Sequence, residues 1–485
     1  MGLSINAVPA TWLIPGVYAG FDGGQALTGL PARTFRILII GQALPAPTGP
    51  LNTPVQVVAP GDGAQWGRGS MIDRMVRALK DVNNVTETWA IAVADNGAGV
   101  ATTRVVTITQ AATQAGTLPL YIGAQRLQIP VTAGQTPAQI ATAVAAAVNA
   151  SADLPVTAAA VGAVVTTTNR WKGATGQDVD VRVGYYSDET TPAGLQLTIA
   201  APANGATNPD LTATIAALGQ QRYDLIVLPF TDTANVRALE AELETRWGPL
   251  HNNEGVAIAA AKGTVGTLGA LGVALNAKFV SVCEAVGPTA PWERAARLAG
   301  VIGYSASVDP ARPFQTLALG DLAATPAERL SDTDRNLLLL DGISTTKVDA
   351  SGNAVIERPI STYSLDADGD PDATWRDLNT HLTLAYLRFT LRERIAAKFP
   401  RSKLADDGIQ AAPGSNTVTP SIIAAEIVAL ARQWEDAGLV EDIPGFKSSL
   451  RVVRNTTDRN RVDVALYPTL VGGFRITDAD IVFLF

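Results

Sequence analysis

The sequence predicts a multidomain α/β protein with extended arms at both ends. Three observations carry this reading. Apolar strand patterns alternate with helical ones over residues 35–93 and again over 204–365, as in a parallel sheet covered on both faces. Between them, residues 94–203 shift to Ala, Thr, Gly and Val with little charge, the composition of a β-rich α+β insertion. The ends are a Pro- and Gly-rich segment at 1–34 with one short apolar stretch and a segment at 471–485 that closes on IVFLF, both too small to build cores. At 485 residues the chain exceeds the roughly 250–300 at which a single core stops growing.

Within the arm 1–34, Trp12-Leu13-Ile14-Pro15-Gly16-Val17-Tyr18 reads as an extended segment lying on another surface. Arg36–Gly41 (RILIIG) is a buried strand. Ser70 caps a helix whose apolar positions Met71, Ile72, Met75, Val76, Leu79 and Val82 follow helical spacing, and Trp89–Val93 is the next strand. In the insertion we expect strands at Arg104–Thr109, Leu118–Ile122, Arg126–Val131, Val156–Thr167, Val179–Val183 and Leu195–Ile199. Its helix runs from Thr136-Pro137 to Asn149, with proline at the position whose N–H has no helical partner.

The α/β pattern resumes with Asp224–Leu228 as a buried strand. Asp232 or Thr233 caps a helix to Trp247 with Val236, Leu239, Leu243 and Trp247 on one face. Strands at Val256–Ala260 and Phe279–Val282 alternate with helices at Val265–Asn276 and Pro291–Ile302. A short helix at Ser331–Leu340 precedes a hairpin of Lys347–Asp349 and Ala354–Arg358. Residues 366–470 form a C-terminal α+β domain: Thr374 caps a long helix stopped by Pro400, Pro420 opens another that ends at Gly438, and Leu450–Arg454 and Arg461–Tyr467 are strands. Val462, Val464 and Leu466 alternate as a half-buried strand requires.

Composition limits the function. A net charge of −8 argues against a general nucleic-acid surface. One cysteine, Cys283, excludes an intramolecular disulfide and reads as a small core hydrophobe. Met1–Tyr18 lacks a basic segment followed by an apolar one, so we expect no secretory signal, and no run approaches the ~20 apolar residues of a membrane span. We therefore expect a soluble chain that starts in a cytoplasm, with no membrane insertion. The two histidines, His251 and His381, stand far apart and offer no two-His metal motif and no serine-hydrolase elbow.

Candidate chemistry is sparse. In a doubly wound sheet ligands bind beyond the strand carboxyl ends, and those loops carry Asp232, Lys262 and Glu284. They form either an acid–base–lysine site or a set of helix caps and ion pairs. Lys262-Gly263-Thr264 fails the phosphate-loop pattern, because that lysine follows the second glycine of GxxxxGK[ST]. Gly263, Gly266, Gly269 and Gly272 instead give a helix a small-residue face. Asp366, Asp368, Asp370 and Asp372 alternate, but lack the glutamate of a calcium loop and read as a solvated turn before a helix. No cofactor is called for.

Two features remain. Arg388, Arg392, Arg394, Lys398, Arg401 and Lys403 face only Glu393 in their stretch: either a solvated helix C-terminus, where cations are favoured, or a contact for an acidic protein. The chain then swings at Gly472-Gly473 and ends Phe474–Phe485, closing on IVFLF. An unpaired strand of that composition aggregates, so it must dock in its own sheet or in a neighbour's.

Here the sequence resembles the contractile tail sheath proteins of bacteriophages, of the Mu-like type. The resemblance spans nearly the whole chain and is weakest over 94–203. It rests on Val8-Pro9 and Pro15-Gly16-Val17-Tyr18, on Gly69-Ser70-Met71 with Arg74-Met75, and on Glu87-Thr88-Trp89. Further on come Asp334-Arg335-Asn336 with Asp341-Gly342-Ile343-Ser344-Thr345, and Arg358-Pro359-Ile360-Ser361-Thr362-Tyr363. Tyr386-Leu387-Arg388 and Arg401-Ser402-Lys403-Leu404 follow; order and combination make the match.

The resemblance implies a subtilisin-like parallel α/β core over 35–93 and 204–365, without a catalytic triad. It also implies hexameric rings that stack as a helical sheath around a tail tube, with neighbours linked by exchanged arms. Such a sheath contracts and drives the tube through the host envelope. The expected place is the tail of a virion, with assembly in the host cytoplasm. Partners are then copies of the same chain, the tail tube protein, and baseplate and tail terminator proteins. On this view Trp12, Ile14, Val17, Tyr18, Phe474, Ile476, Ile481, Val482, Phe483 and Phe485 are linker residues, and Arg388, Arg392, Lys398, Arg401 and Lys403 face the tube. Two rivals stand beside it: an α/β enzyme using Asp232, Lys262 and Glu284, and another virion assembly protein such as a baseplate component.

Overall fold

The computed structural model describes residues 30–409 and 415–483. The linker positions Trp12, Ile14, Val17, Tyr18 and Phe485 lie outside them. The chain divides into two compact units. One contains 33–386 and 471–483; the other contains 387–470 with residues 30–32.

The first unit begins with β1 (Arg36–Gln42), whose Ile37, Leu38, Ile39 and Ile40 are fully buried. The short β2 (Val55–Val57) and a 3-10 turn at Pro60–Trp66 come next, neither legible in the apolar pattern. Helix α1 (Met71–Val82) starts where Ser70 accepts the Asp73 N–H, and β3 (Glu87–Val93) closes the first β–α–β.

Residues 94–206 then form two antiparallel sheets. The strands are β4 (Val100–Gln110), β5 (Gly116–Ile122) and β6 (Gln125–Val131), followed by helix α2 (Pro137–Ala150) under a Thr136–Gln139 capping box. After them come β7 (Val156–Val161), β8 (Val164–Asn169), β9 (Val181–Val183), β10 (Gln196–Ile199) and β11 (Ala203–Ala206). The single strand expected at Val156–Thr167 is a hairpin: Gly162, at φ 57°, turns the chain so that Val161 pairs with Val164.

A short α3 (Thr212–Ala216) leads to β12 (Leu225–Val227), then α4 (Thr233–Trp247), β13 (Val256–Ala261), α5 (Val265–Leu275), β14 (Val280–Glu284) and α6 (Pro291–Val308). Helix α7 (Asp332–Leu340), β15 (Ile343–Val348) and β16 (Ala354–Arg358) complete an eight-stranded sheet, in the order β16-β15-β14-β13-β12-β1-β3-β2. Its six inner strands are parallel, and β2 and β16 are antiparallel edges. Burial on both faces explains why β1, β12 and β13 read as continuous apolar runs rather than alternating ones.

The small-residue face of α5 is shorter than its spacing implied. A side chain at Gly269 or Gly272 would strike Asp341, whereas Gly266 faces open space and Gly263 precedes the helix. His381 is a core residue: its ring nitrogens meet the carbonyls of Asp377 and Lys278, beside Trp247, Phe279 and Trp375. Cys283 is buried, and burial pushes its thiol pKa up.

Helix α8 (Leu378–Lys398) starts four residues after Thr374. The sequence at 372–376 closes a turn instead, with Asp372 accepting from Thr374 and the Arg376 N–H bonded to Ala373. The second unit holds the rest of α8, then β17 (Lys403–Leu404), β18 (Thr417–Val418) and α9 (Pro420–Asp436). It continues with β19 (Val440–Glu441), α10 (Ile443–Ser449), β20 (Arg451–Arg454), β21 (Val462–Ala465) and β22 (Thr469–Leu470). Its core is Ile423, Ile427, Leu430, Trp434 and Phe446, with Trp434 donating to the Thr390 hydroxyl at 2.9 Å.

Candidate assembly site

At the carboxyl end of β1 the edge of the parallel sheet is occupied by the protein itself. Gln42, at the end of β1, donates to Asp95 at 2.9 Å and to the Lys172 carbonyl at 2.7 Å. Trp171 packs edge-on against Trp292 of α6 at 5.5 Å. Arg74 of α1 bonds Glu293 and the carbonyls of Asp153 and Gly123, tying residues 94–206 to the helices beneath. Beyond the carboxyl end of β1, the space in which a doubly wound enzyme binds its ligand is thus taken by the chain's own side chains.

The three residues considered for catalysis have structural partners there and do not meet. Asp232 caps α4 through the Asn235 N–H and accepts from Asn208. Lys262 donates to the Asp178 carbonyl at 3.1 Å, and burial lowers its pKa against the pull of Asp180 and Asp178. Glu284, at the end of β14, accepts from Thr346 and Val286 and lies 3.5 Å from Arg294, which also holds Asp321 at 3.0 Å. Burial raises the Glu284 pKa, opposed by Arg294 and Thr346. A cavity of about 230 Å³ opens over Glu284 and Arg294, but Asp232 and Lys262 do not line it. Asp366 folds its own loop, accepting the N–H groups of Asp368 and Asp370 at 2.9 Å each.

The basic stretch separates into two kinds of residue. Arg394 is engaged: it lies 3.1 Å from Glu426 and donates to Gln433. Lys398 stands 3.9 Å from the same Glu426 but is half exposed. Arg392, Arg401 and Lys403 are exposed, and Arg388 is half-buried. The β20–β21 hairpin of the same unit is a two-stranded sheet by itself. Its Val464 is 41% exposed and Val453 54%, so the half-burial expected from alternation is not reached. A lone hairpin has too little surface to cover its own strands.

The terminal segment departs further from expectation. Residues 471–483 form no strand and join no ladder of their own chain. Phe474, Ile476, Ile481, Val482 and Phe483 are 71–84% exposed. Of the two docking choices open to this segment, its described residues do not take their own sheet. The root is held: Gln315 donates to the Phe474 carbonyl at 3.2 Å, and Arg475 reaches Asp377 at 3.1 Å. No sequence signal marked Arg475, which stands between Phe474 and Ile476.

A buried parallel sheet, together with a terminal segment that is largely exposed and, among the described residues, joins no ladder of its own chain, suits a structural protein that assembles. Comparison with known proteins carries this to a family. Residues 204–362 match the model of the phage tail sheath protein central domain, and residues 370–483 that of the phage tail sheath C-terminal domain. A Mu-like prophage tail sheath protein of Haemophilus influenzae is 37% identical over 480 residues, covering 98% of both chains. The crystal structure of a sheath tail protein from Desulfitobacterium hafniense covers 94% of this chain and 97% of its own, at 15% identity and a TM-score of 0.50. One from Listeria innocua covers 92% and 94%, at 12% identity and a TM-score of 0.48. The chain belongs to the phage tail sheath family, and its role is that of a structural subunit of a contractile tail.

Proposed function

We propose that copies of this chain polymerise as stacked hexameric rings around a tail tube, joined by exchanged terminal arms, and that their contraction drives the tube through the host envelope. The observation that carries the reading is the arm at 476–483, whose Ile476, Ile481, Val482 and Phe483 are 71–84% exposed and whose described residues join no β-ladder of their own chain. A segment outside every ladder of its own chain fits strand addition to a second copy. The acceptor we favour is the β20–β21 hairpin, a two-stranded sheet whose edges pair with nothing else in the described chain and whose Val453 and Val464 face solvent. Trp12, Ile14, Val17 and Tyr18 serve as the second linker on this reading.

Arg388, Arg392, Lys398, Arg401 and Lys403 form the face turned to the tube, and the exposure of Arg392, Arg401 and Lys403 supports it. Baseplate and terminator proteins meet the two ends of the sheath, and assembly takes place in the host cytoplasm. We read the six parallel strands as a subtilisin-like core over 35–93 and 204–365, interrupted by the insertion 94–203 and followed by a C-terminal domain at 366–470; the filled space beyond β1 supports a core without catalysis. Among the described residues no helix is long and apolar enough to cross a membrane.

Electron microscopy of the purified chain tests the reading. Wild type forms tubes or rings. A chain lacking 476–485 stays folded by circular dichroism and forms none. If the shortened chain unfolds, the arm belongs to its own core and the reading fails.

A further inference from the structure

The arm is exposed along its length except at one residue. Across 471–483 every side chain is exposed apart from Arg475, which keeps only 16% of its side-chain surface. A long cation in an otherwise solvated segment gives up water and rotamer freedom only where specific acceptors repay it.

Two acceptors are in place, and each is held from behind. Arg475 Nη2 lies 3.1 Å from Asp377 Oδ1 and 3.3 Å from Asn379 Oδ1. Asp377 is fixed by Arg358 at the end of β16, whose Nε and Nη2 each donate at 3.0 Å. Asn379, in the first turn of α8, gives its amide hydrogens to the carbonyls of Pro310 and Arg312 at 2.9 and 2.8 Å, which aims its oxygen at the arm. The backbone beside Arg475 is also seated. Gln315 holds the Phe474 carbonyl, and Gly473 packs so closely on Pro313 that a Cβ there would stand 2.9 Å from its ring. These contacts all belong to the unit formed by 33–386 and 471–483. The chain leaves that unit at Leu387 and returns to it at Val471, so the arm springs from the α/β unit and not from the one that precedes it in sequence.

We propose that Arg475, with Asp377 and Asn379, is a latch that fixes the root of the C-terminal arm to its own subunit. It sets residue 476 as the first free position and passes load from a docked arm into the sheet edge at β16 and the start of α8. The inference rests on the arm-exchange reading. A linker held only at its far end would peel from its own subunit under load. A planar guanidinium shared between two preset acceptors resists that peeling, and a lysine at the same place presents a single point charge.

The test compares full-length wild type, R475A and R475K with the chain lacking 476–485. Assembly is read by sedimentation and electron microscopy across concentration, folding by thermal melting. A nitroxide on an I476C variant, with and without R475A, reads mobility at the arm root; Cys283 is buried and does not compete for the label. R475A is expected to keep the wild-type melting temperature, to loosen the probe, and to raise the concentration needed for assembly roughly tenfold, the size of one lost charge-assisted hydrogen bond. R475K falls between. A Q315A variant moves the probe in the same direction by less.

Wild-type assembly and an unchanged probe in R475A overturn the latch. If the deletion abolishes assembly while R475A does not weaken it, the latch alone fails. If the deletion assembles like wild type, the arm-exchange reading fails and takes the latch with it.

Discussion

Ile37-Leu38-Ile39-Ile40 and Ile481-Val482-Phe483 are nearly the same kind of peptide, yet the first is fully buried and the second is 71–84% exposed. The difference lies in their neighbours. β1 sits between β12 and β3, which give it ladder partners on both edges, and its apolar side chains are buried on both faces. The terminal segment is anchored at Arg475, beyond which its described residues join no ladder of their own chain. Apolar composition therefore calls for burial without saying where burial will occur. In a protein that folds alone, the second segment would be a liability. On the arm-exchange proposal, it is the part of the fold left for another copy to complete.

The comparison can be broken most directly by placing one carboxylate in each segment. I39D unfolds the chain, because an unpaired buried charge costs more than a marginally stable domain can absorb. I481D leaves the monomer within about 0.5 kcal/mol of wild type in urea unfolding, as at other exposed sites, but abolishes tubes in electron micrographs. Loss of fold in I481D would mean that the arm is core.

A smaller effect tests whether the buried charges at the end of β14 behave as core. Arg294 is buried against Glu284 and Asp321. R294A leaves both carboxylates without their cation and is expected to cost about 3–5 kcal/mol in denaturant unfolding. A cost near zero would return those carboxylates to consideration as a working site.

The smallest effect is read in pH. Burial lifts the Glu240 pKa from 4.5 to about 7, opposed by the N–H groups of Phe279 and Lys278 that it accepts. The folded state then holds a proton that the unfolded chain releases, so this group's contribution to stability falls as pH rises from about 4.5 to about 7. E240Q should flatten that slope in thermal melts taken across the window, without altering assembly. An unchanged slope would place the proton elsewhere.

Much of the first unit was legible because its signals are local. Ser70 caps its helix as expected, and of Asp232 and Thr233 it is Asp232 that caps α4, since a cap needs only the N–H three residues on; Thr136 and Ser331 cap α2 and α7, whose starts were expected there. The long apolar runs at Ile37 and Val256 gave the buried strands their places. Errors came where a residue had two suitable uses. Thr374 could open α8, but Asp372 claimed it for a turn. Val156–Thr167 could run as one strand, but Gly162 reversed it. Asp232, Lys262 and Glu284 have the chemistry of a site, and folding turns each toward a structural partner instead.

Chain periodicity and caps place the buried strands β1, β12 and β13 and the helices α1, α2 and α4 of this protein, because those choices are settled within a few residues. Folding alone decides that residues 94–206 fill the space beyond the carboxyl end of β1, that Arg475 turns inward, and that Ile481–Phe483 stay outside. Each of those outcomes depends on which distant group lies within hydrogen-bonding or packing reach, a property that no local pattern carries.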